Sequence, residues 1–269
     1  MDVDGQGVSP VLAGVDPPST LPGSLQIDWR RLAAPTPDPA PFTPALLDGL
    51  PEAARRWLAH SIAPGTPLRR AAVFRQNGEI KVGRWQRYEA DWVLAAPDGF
   101  VWAATTHLGP VFIRGFDRYT RGSGQMRWRL FGRIPLLSAR GPDVTRSALG
   151  RFLGELCFVP AAALSPLVSW EHLDDRRSTA CIGAAGQAHR VTLTVADSGR
   201  LERVDLPRWG NPDGRAFREH TFTAVMDGPE ATYDGFTVPL GCRAGWWHCP
   251  DGCAEEEFIR FALDDADYR

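Results

Sequence analysis

The sequence predicts a mainly β domain of the α+β class, an antiparallel sheet accompanied by a few helices. Apolar and polar residues alternate through several segments, turn-forming pairs separate those segments at short intervals, and helical spacing is confined to two stretches. With 269 residues and 43% hydrophobic composition, the chain is long enough for a substantial core, and a single domain is expected.

The first 49 residues hold nine of the 23 prolines and show little periodicity, which predicts a disordered, proline-rich arm over 1–49 ahead of one β-rich domain over 50–263. Order begins with a short helix: Pro51 suits a first helical position, and Ala53, Ala54, Trp57 and Leu58 make an apolar stripe ending before Pro64-Gly65. From Arg69 to about Phe131 the pattern is a meander. Asn77-Gly78 predicts a type I′ hairpin, and Pro97-Asp98-Gly99 predicts a second turn. Phe100, Trp102 and Ala104 share one face of a strand; Met126, Trp128 and Leu130 oppose Gln125, Arg127 and Arg129 in another.

Asp143 suits the cap of a second helix that directs Val144, Ala148, Leu149, Phe152, Leu153 and Leu156 inward and Arg146, Arg151 and Glu155 outward. Strands resume with Val191, Leu193 and Val195, turn at Asp197-Ser198-Gly199, and continue through Val204 and Leu206. Further strands are predicted near 220–226, 236–247 and 257–263, and residues 264–269 are expected to form a solvated acidic tail.

A net charge of -2 gives no global attraction to nucleic acid, and no nucleic-acid partner is expected. Lys81 is the only lysine, so arginine carries nearly all the positive charge. The N-terminus does not follow the pattern of a secretory signal, and the longest apolar stretch, Leu156 to Leu164, is interrupted by Pro160. These features predict a cytoplasmic, soluble protein without integral membrane association, and the five cysteines are expected as free thiols.

Glu171 and His172 near Asp174 and Asp175 form the one place where a base and carboxylates cluster; Arg176 and Arg177 beside them suit an ordinary charged loop equally well. Cys242, His248, Cys249 and Cys253 are possible metal ligands, but the spacing lacks the paired short intervals of a zinc site, and neither metal nor cofactor is expected. Between Arg114 and Arg151 there are nine arginines against two acids, Asp117 and Asp143. Arg127 and Arg129 share a strand face that could hold an anion, or form a solvated surface. Arg208-Trp209-Gly210-Asn211-Pro212-Asp213-Gly214 combines a cation and an indole with turn formers, a composition that suits either a ligand-facing loop or a structural turn.

Leu50-Pro51-Glu52, Gly78-Glu79-Ile80, Met126-Arg127-Trp128, Gly141-Pro142-Asp143, Arg146-Ser147-Ala148 and Leu206-Pro207-Arg208-Trp209-Gly210 resemble the signature of an uncharacterised bacterial family over about Leu50 to Leu263. That family brings no assigned activity. More distantly, the order of strand block, helix and strand block is similar to the LolA/LolB-like lipoprotein-carrier fold. The resemblance implies a curved antiparallel sheet, an incomplete barrel lined by apolar residues and closed by helices, and a hydrophobic ligand.

The expected function is binding of a hydrophobic or amphipathic small molecule, with an anionic end held by arginine. Arg127, Trp128, Arg129, Arg208 and Trp209 are the candidate ligand-binding residues. Two alternatives stay open. One is an enzyme using the same cleft, with Glu171, His172 or Asp213 in acid/base roles and Arg208 stabilising negative charge. The other is a scaffold recruiting partners through the proline-rich arm.

Overall fold

The computed structural model describes residues 16–212, 214–246 and 257–269. Two meanders form one antiparallel sheet. The first comprises β1 (Ala71–Val82), β2 (Arg84–Ala95), β3 (Gly99–Leu108), β4 (Val111–Thr120), β5 (Ser123–Leu130) and β6 (Ile134–Arg140). The second comprises β7 (Val168–His172), β8 (Arg177–Ala184), β9 (Gln187–Val195), β10 (Leu201–Gly210), β11 (Arg218–Tyr233), β12 (Phe236–Trp246) and β13 (Glu257–Tyr268). Spatially the order is β6-β5-β4-β3-β2-β1-β13-β12-β11-β10-β9-β8-β7, so the last strand returns to pair with the first and the sheet is not closed. The predicted fold class, a mainly β protein on an open antiparallel sheet with helices against it, is borne out.

Period-two alternation gives the first meander two apolar faces. Phe74, Trp92, Phe100, Trp102 and Tyr119 enter the larger core on the inner face, which α2 (Glu52–Ser61) and α3 (Pro142–Glu155) cover through Trp57, Leu58, Phe152 and Leu153. Val73, Val93, Val101 and Phe116 point to the outer face and meet Leu21, Leu25, Trp29 and Leu32 of the N-terminal segment. The α2 helix forms where its apolar stripe predicts, with Pro51 at the cap. The turn at Pro97-Asp98-Gly99 separates β2 from β3, and the turn at Asp197-Ser198-Gly199 separates β9 from β10.

Four expectations are corrected. Residues 16–49 are not a disordered arm: they contain α1 (Gly23–Leu32), in which Trp29 is 0% exposed and Asp28 accepts a hydrogen bond from Thr120 Oγ1 at 3.1 Å. The outer face of β1–β4 would otherwise present valine and phenylalanine to water, and α1 removes that surface. Residues 1–15 of the predicted arm lie outside the described residues.

Asn77-Gly78 does not turn. Asn77 pairs with Glu89 and Ala262 in the middle of β1, and the hairpin closes at Gly83, whose φ of +70° suits glycine. Gly78 serves a different need, since a Cβ there would stand 2.0 Å from the Arg260 carbonyl oxygen of β13. Residues 264–269 are not a free tail, because β13 runs to Tyr268, with Ala266 and Tyr268 buried and Tyr268 Oη donating to Phe158 O at 2.7 Å. Arg208, Trp209 and Gly210 belong to β10 rather than to a loop after it.

Candidate functional site: an apolar cleft beneath α3

Between the two meanders, α3 crosses the inner face. Pro142 occupies its first turn, and Gly141, with φ +117°, precedes it in the cap position expected for Asp143. Gly150 and Gly154 face β10, where Cβ atoms would stand 3.0 Å from Arg208 Cγ and 3.3 Å from Leu206 Cδ2. The helix therefore lies close to the sheet on its second-meander side. A cleft of about 550 Å³ remains beneath it, walled by Trp92, Phe100 and Trp102 on one side and by Phe222, Trp246 and Phe261 on the other. A pocket of this size with apolar walls and few polar groups has the proportions of a small-molecule site.

Its charged groups come from three elements, α3, β4 and β10, and Gln76 of β1 and Gln125 of β5 add neutral polar ones. Arg151 of α3 donates from Nη1 to Asp117 Oδ2 of β4 at 3.0 Å and from Nε to Glu155 Oε1, one helical turn on, at 2.7 Å. The Arg151 guanidinium also lies over Phe100 at 4.8 Å and Trp102 at 4.9 Å. Burial pushes the Asp117 and Glu155 carboxyls above their ordinary range, against the pull of Arg151 and Arg208. Burial also works against the charge on Arg151, but Glu155 and Asp117 outweigh it and hold its pKa above the usual value.

Arg208 is placed differently. Its Nε donates to Ser147 O at 3.3 Å, and its guanidinium lies over Phe222 at 4.5 Å and Trp246 at 4.8 Å. Among the described residues no carboxylate forms an ion pair with it. Burial, with repulsion from Arg151, brings its pKa down to about 10, which leaves it cationic at neutral pH.

Sequence-based candidates divide between the two faces of the sheet. Arg208 lines the cleft. Trp128 lies on the inner face behind it, with its ring 5.8 Å from Trp102. Arg127 pairs across strands with Phe116 and Arg129 with Arg114, which puts both arginines on the outer face, away from Arg208. Arg127 lies over the Phe116 ring at 4.9 Å. Trp209 points to the first turn of α3, donating Nε1–H to Asp143 Oδ1 at 2.8 Å beneath the Arg146 guanidinium, and so fastens the helix to β10.

The expected acid/base cluster is also separate from the cleft. Glu171 is exposed on β7 and paired with Arg190 at 2.6 Å, and Asp174 is paired with Arg177 at 2.7 Å. Asp213, proposed with them, lies outside the described residues, as do His248, Cys249 and Cys253; Cys242 is a buried thiol of the inner core. Among the described residues no set of three or more histidine, cysteine, aspartate or glutamate side chains is placed to hold a metal ion.

Asp117, Arg151 and Glu155 were not expected in the site. The signal for Asp117 was present in the alternation, because it occupies the same strand face as buried Tyr119. Arg151 and Glu155, expected to face solvent, instead turn toward the sheet, where each meets an opposite charge.

An unclosed antiparallel sheet with a helix lying over an apolar cleft defines a mainly β protein of the α+β class. The chain belongs to a family of unknown function, DUF6544, which it matches over residues 40–256; membership of an uncharacterised family, expected from the motifs, is borne out. No curated protein matches the chain. Among solved structures it is similar to an outer membrane lipoprotein-sorting protein domain from Vibrio parahaemolyticus, with 9% identity, coverage of 74% of this chain and 85% of that one, and a TM-score of 0.42. It is also similar to a LolA superfamily protein from Nitrosomonas europaea, with 10% identity, coverage of 84% and 92%, and a TM-score of 0.39. No described helix is long and apolar enough to cross a membrane.

Proposed function

We propose that the chain binds an amphipathic small molecule, its apolar body beneath α3 and its anionic end on Arg208. The observation that carries this is a cationic guanidinium without a carboxylate partner in an aromatic-walled cleft of about 550 Å³. An apolar cavity alone would favour any hydrophobic molecule. Arg208 is partly buried and, among the described residues, forms no direct ion pair, so an anionic ligand group would add charge-assisted hydrogen bonds to the more distant pull of Glu155 and Asp117 and offset its desolvation. Arg151 is already engaged by two carboxylates and serves to set the electrostatics around the ligand head. Cytoplasmic placement, which the free thiols of Cys157, Cys181 and Cys242 suit, belongs to the same proposal.

The test compares oleate with oleyl alcohol, which share an apolar chain and differ in the anionic end. Purified protein binds oleate more tightly, and Arg208→Gln weakens oleate by about tenfold or more while leaving oleyl alcohol nearly unchanged. Equal binding of the two by the unaltered protein, or no binding of either, overturns the proposal.

A further inference from the structure

The edge strand β6 carries an unusual surface. Ile134 is 55% exposed and Leu136 52%, and Leu137 and Phe131 are exposed beside them. Phe131 sits in the β5–β6 turn with its ring 5.5 Å from that of Phe112 on β4, and Arg114 lies over Phe112 at 4.5 Å. From Ser123 to Arg140 there is no acidic residue, while Arg127, Arg129, Arg133 and Arg140 fall in that span. None of these four, nor Arg114, forms an ion pair among the described residues, although arginines elsewhere such as Arg190, Arg243 and Arg269 meet carboxylates at 2.6 Å. Exposed apolar side chains and unneutralised guanidinium groups thus share one sheet edge, Ile134 and Leu137 on its inner side opposite Leu130 and Trp128, Arg127 and Arg129 on its outer side.

We infer that this edge docks on an anionic phospholipid bilayer. Apolar side chains at a strand tip can enter the headgroup boundary, and the surrounding arginines meet lipid phosphates that supply the missing negative charge. Strand addition by a second copy fits less well. Pro135 has no N–H to offer, and the register shift opposite Trp128 and Arg129 interrupts the edge ladder. The surface is continuous with the cleft, because Leu137 and Ala139 of the same strand line it. Docking here would bring the cleft's rim to the lipid surface. The inference stands apart from the ligand proposed above, because Arg208 is not part of this edge.

Vesicle co-sedimentation tests it with the full chain. Vesicles of phosphatidylcholine containing about one-third phosphatidylglycerol bind the protein, pure phosphatidylcholine vesicles do not, and ~0.5 M salt releases it. Arg129→Gln with Arg133→Gln lowers the partition coefficient about tenfold or more, and Ile134→Asn with Leu136→Asn does the same without changing the melting temperature. Absence of binding to the anionic vesicles overturns the inference, as does equal binding by the variants. It is also overturned if light scattering shows a dimer that Leu136→Asn dissociates, since a second copy would then cover the edge. Failure here with retained oleate binding would leave the cleft's proposed role standing.

Discussion

Arg151 of α3 and Asp117 of β4 meet at 3.0 Å on the inner face of the sheet, and Glu155 holds the other side of the same guanidinium at 2.7 Å. The Arg151 side chain is 14% exposed and the two carboxylates 22% each, and all three line the cleft. This contact fixes how the helix crosses the first meander.

Removing the cation should therefore cost more than removing either acid. Arg151→Ala leaves two carboxylates beside aromatic walls and is expected to destabilise the fold by about 3–5 kcal/mol, whereas Asp117→Asn keeps the Arg151–Glu155 pair and costs less. Urea unfolding of both variants checks the order. A loss under about 1 kcal/mol for Arg151→Ala would mean that the pair does not pin the helix.

Stability should depend on pH through Asp117 and Glu155. Burial raises their folded-state pKa values above the ordinary 3.8 and 4.5, so in the interval above those values the folded chain holds more protons than the unfolded one. Their contribution is fully present below the ordinary values and declines as pH rises through the folded ones. Glu52, Glu171 and Asp174, lowered by hydrogen bonds from Arg55, Arg190 and Arg177, act in the opposite sense and at lower pH. Melting temperatures between about pH 4 and 7 should fall toward neutrality, and Glu155→Gln should flatten that slope.

Trp29→Ala should destabilise the domain by about 3–5 kcal/mol, since the indole is fully buried between α1 and the outer face. A chain beginning at residue 40, where the family match starts, would expose Val93, Val101 and Phe116. It should bind a hydrophobic dye and aggregate on warming more readily than the full chain. Unchanged melting of Trp29→Ala would show that α1 is dispensable.

Gly78→Ala should cost about 2 kcal/mol or more, because its Cβ would stand 2.0 Å from Arg260 O and force β1 and β13 apart. Gly122→Ala provides a contrast: its Cβ meets nothing within 4 Å, and only the φ of +68° opposes it. Parallel thermal melts of the two variants separate the steric cost from the conformational one.

Much of the architecture was legible where one local periodicity had one interpretation. The stripe of Ala53, Trp57 and Leu58 gives α2, and the alternation of Phe100, Trp102 and Ala104 gives an inward strand face. Leu21, Leu25, Trp29 and Leu32 also recur at helical spacing, but the surrounding prolines masked that pattern. The Asp264, Asp265 and Asp267 carboxylates masked in the same way a strand that buries Ala266 and Tyr268.

By itself the sequence determined the mainly β, antiparallel class, the α2 helix, the shared faces of the aromatic strands and the presence of Arg208 among the candidate residues. Alternation and helical spacing are set by backbone geometry within a few residues, and the chain records them directly. Tertiary structure alone decided that Asn77-Gly78 runs straight, that Arg151 and Glu155 turn inward, and that Arg127 and Arg129 lie on the face opposite Arg208. Each depends on a partner distant in sequence: β13 beside Gly78, Asp117 beneath Arg151, and the β4–β5 register that assigns each arginine its side. Local turn and charge preferences are worth about 1 kcal/mol or less, and a strand ladder or a buried ion cluster outweighs them.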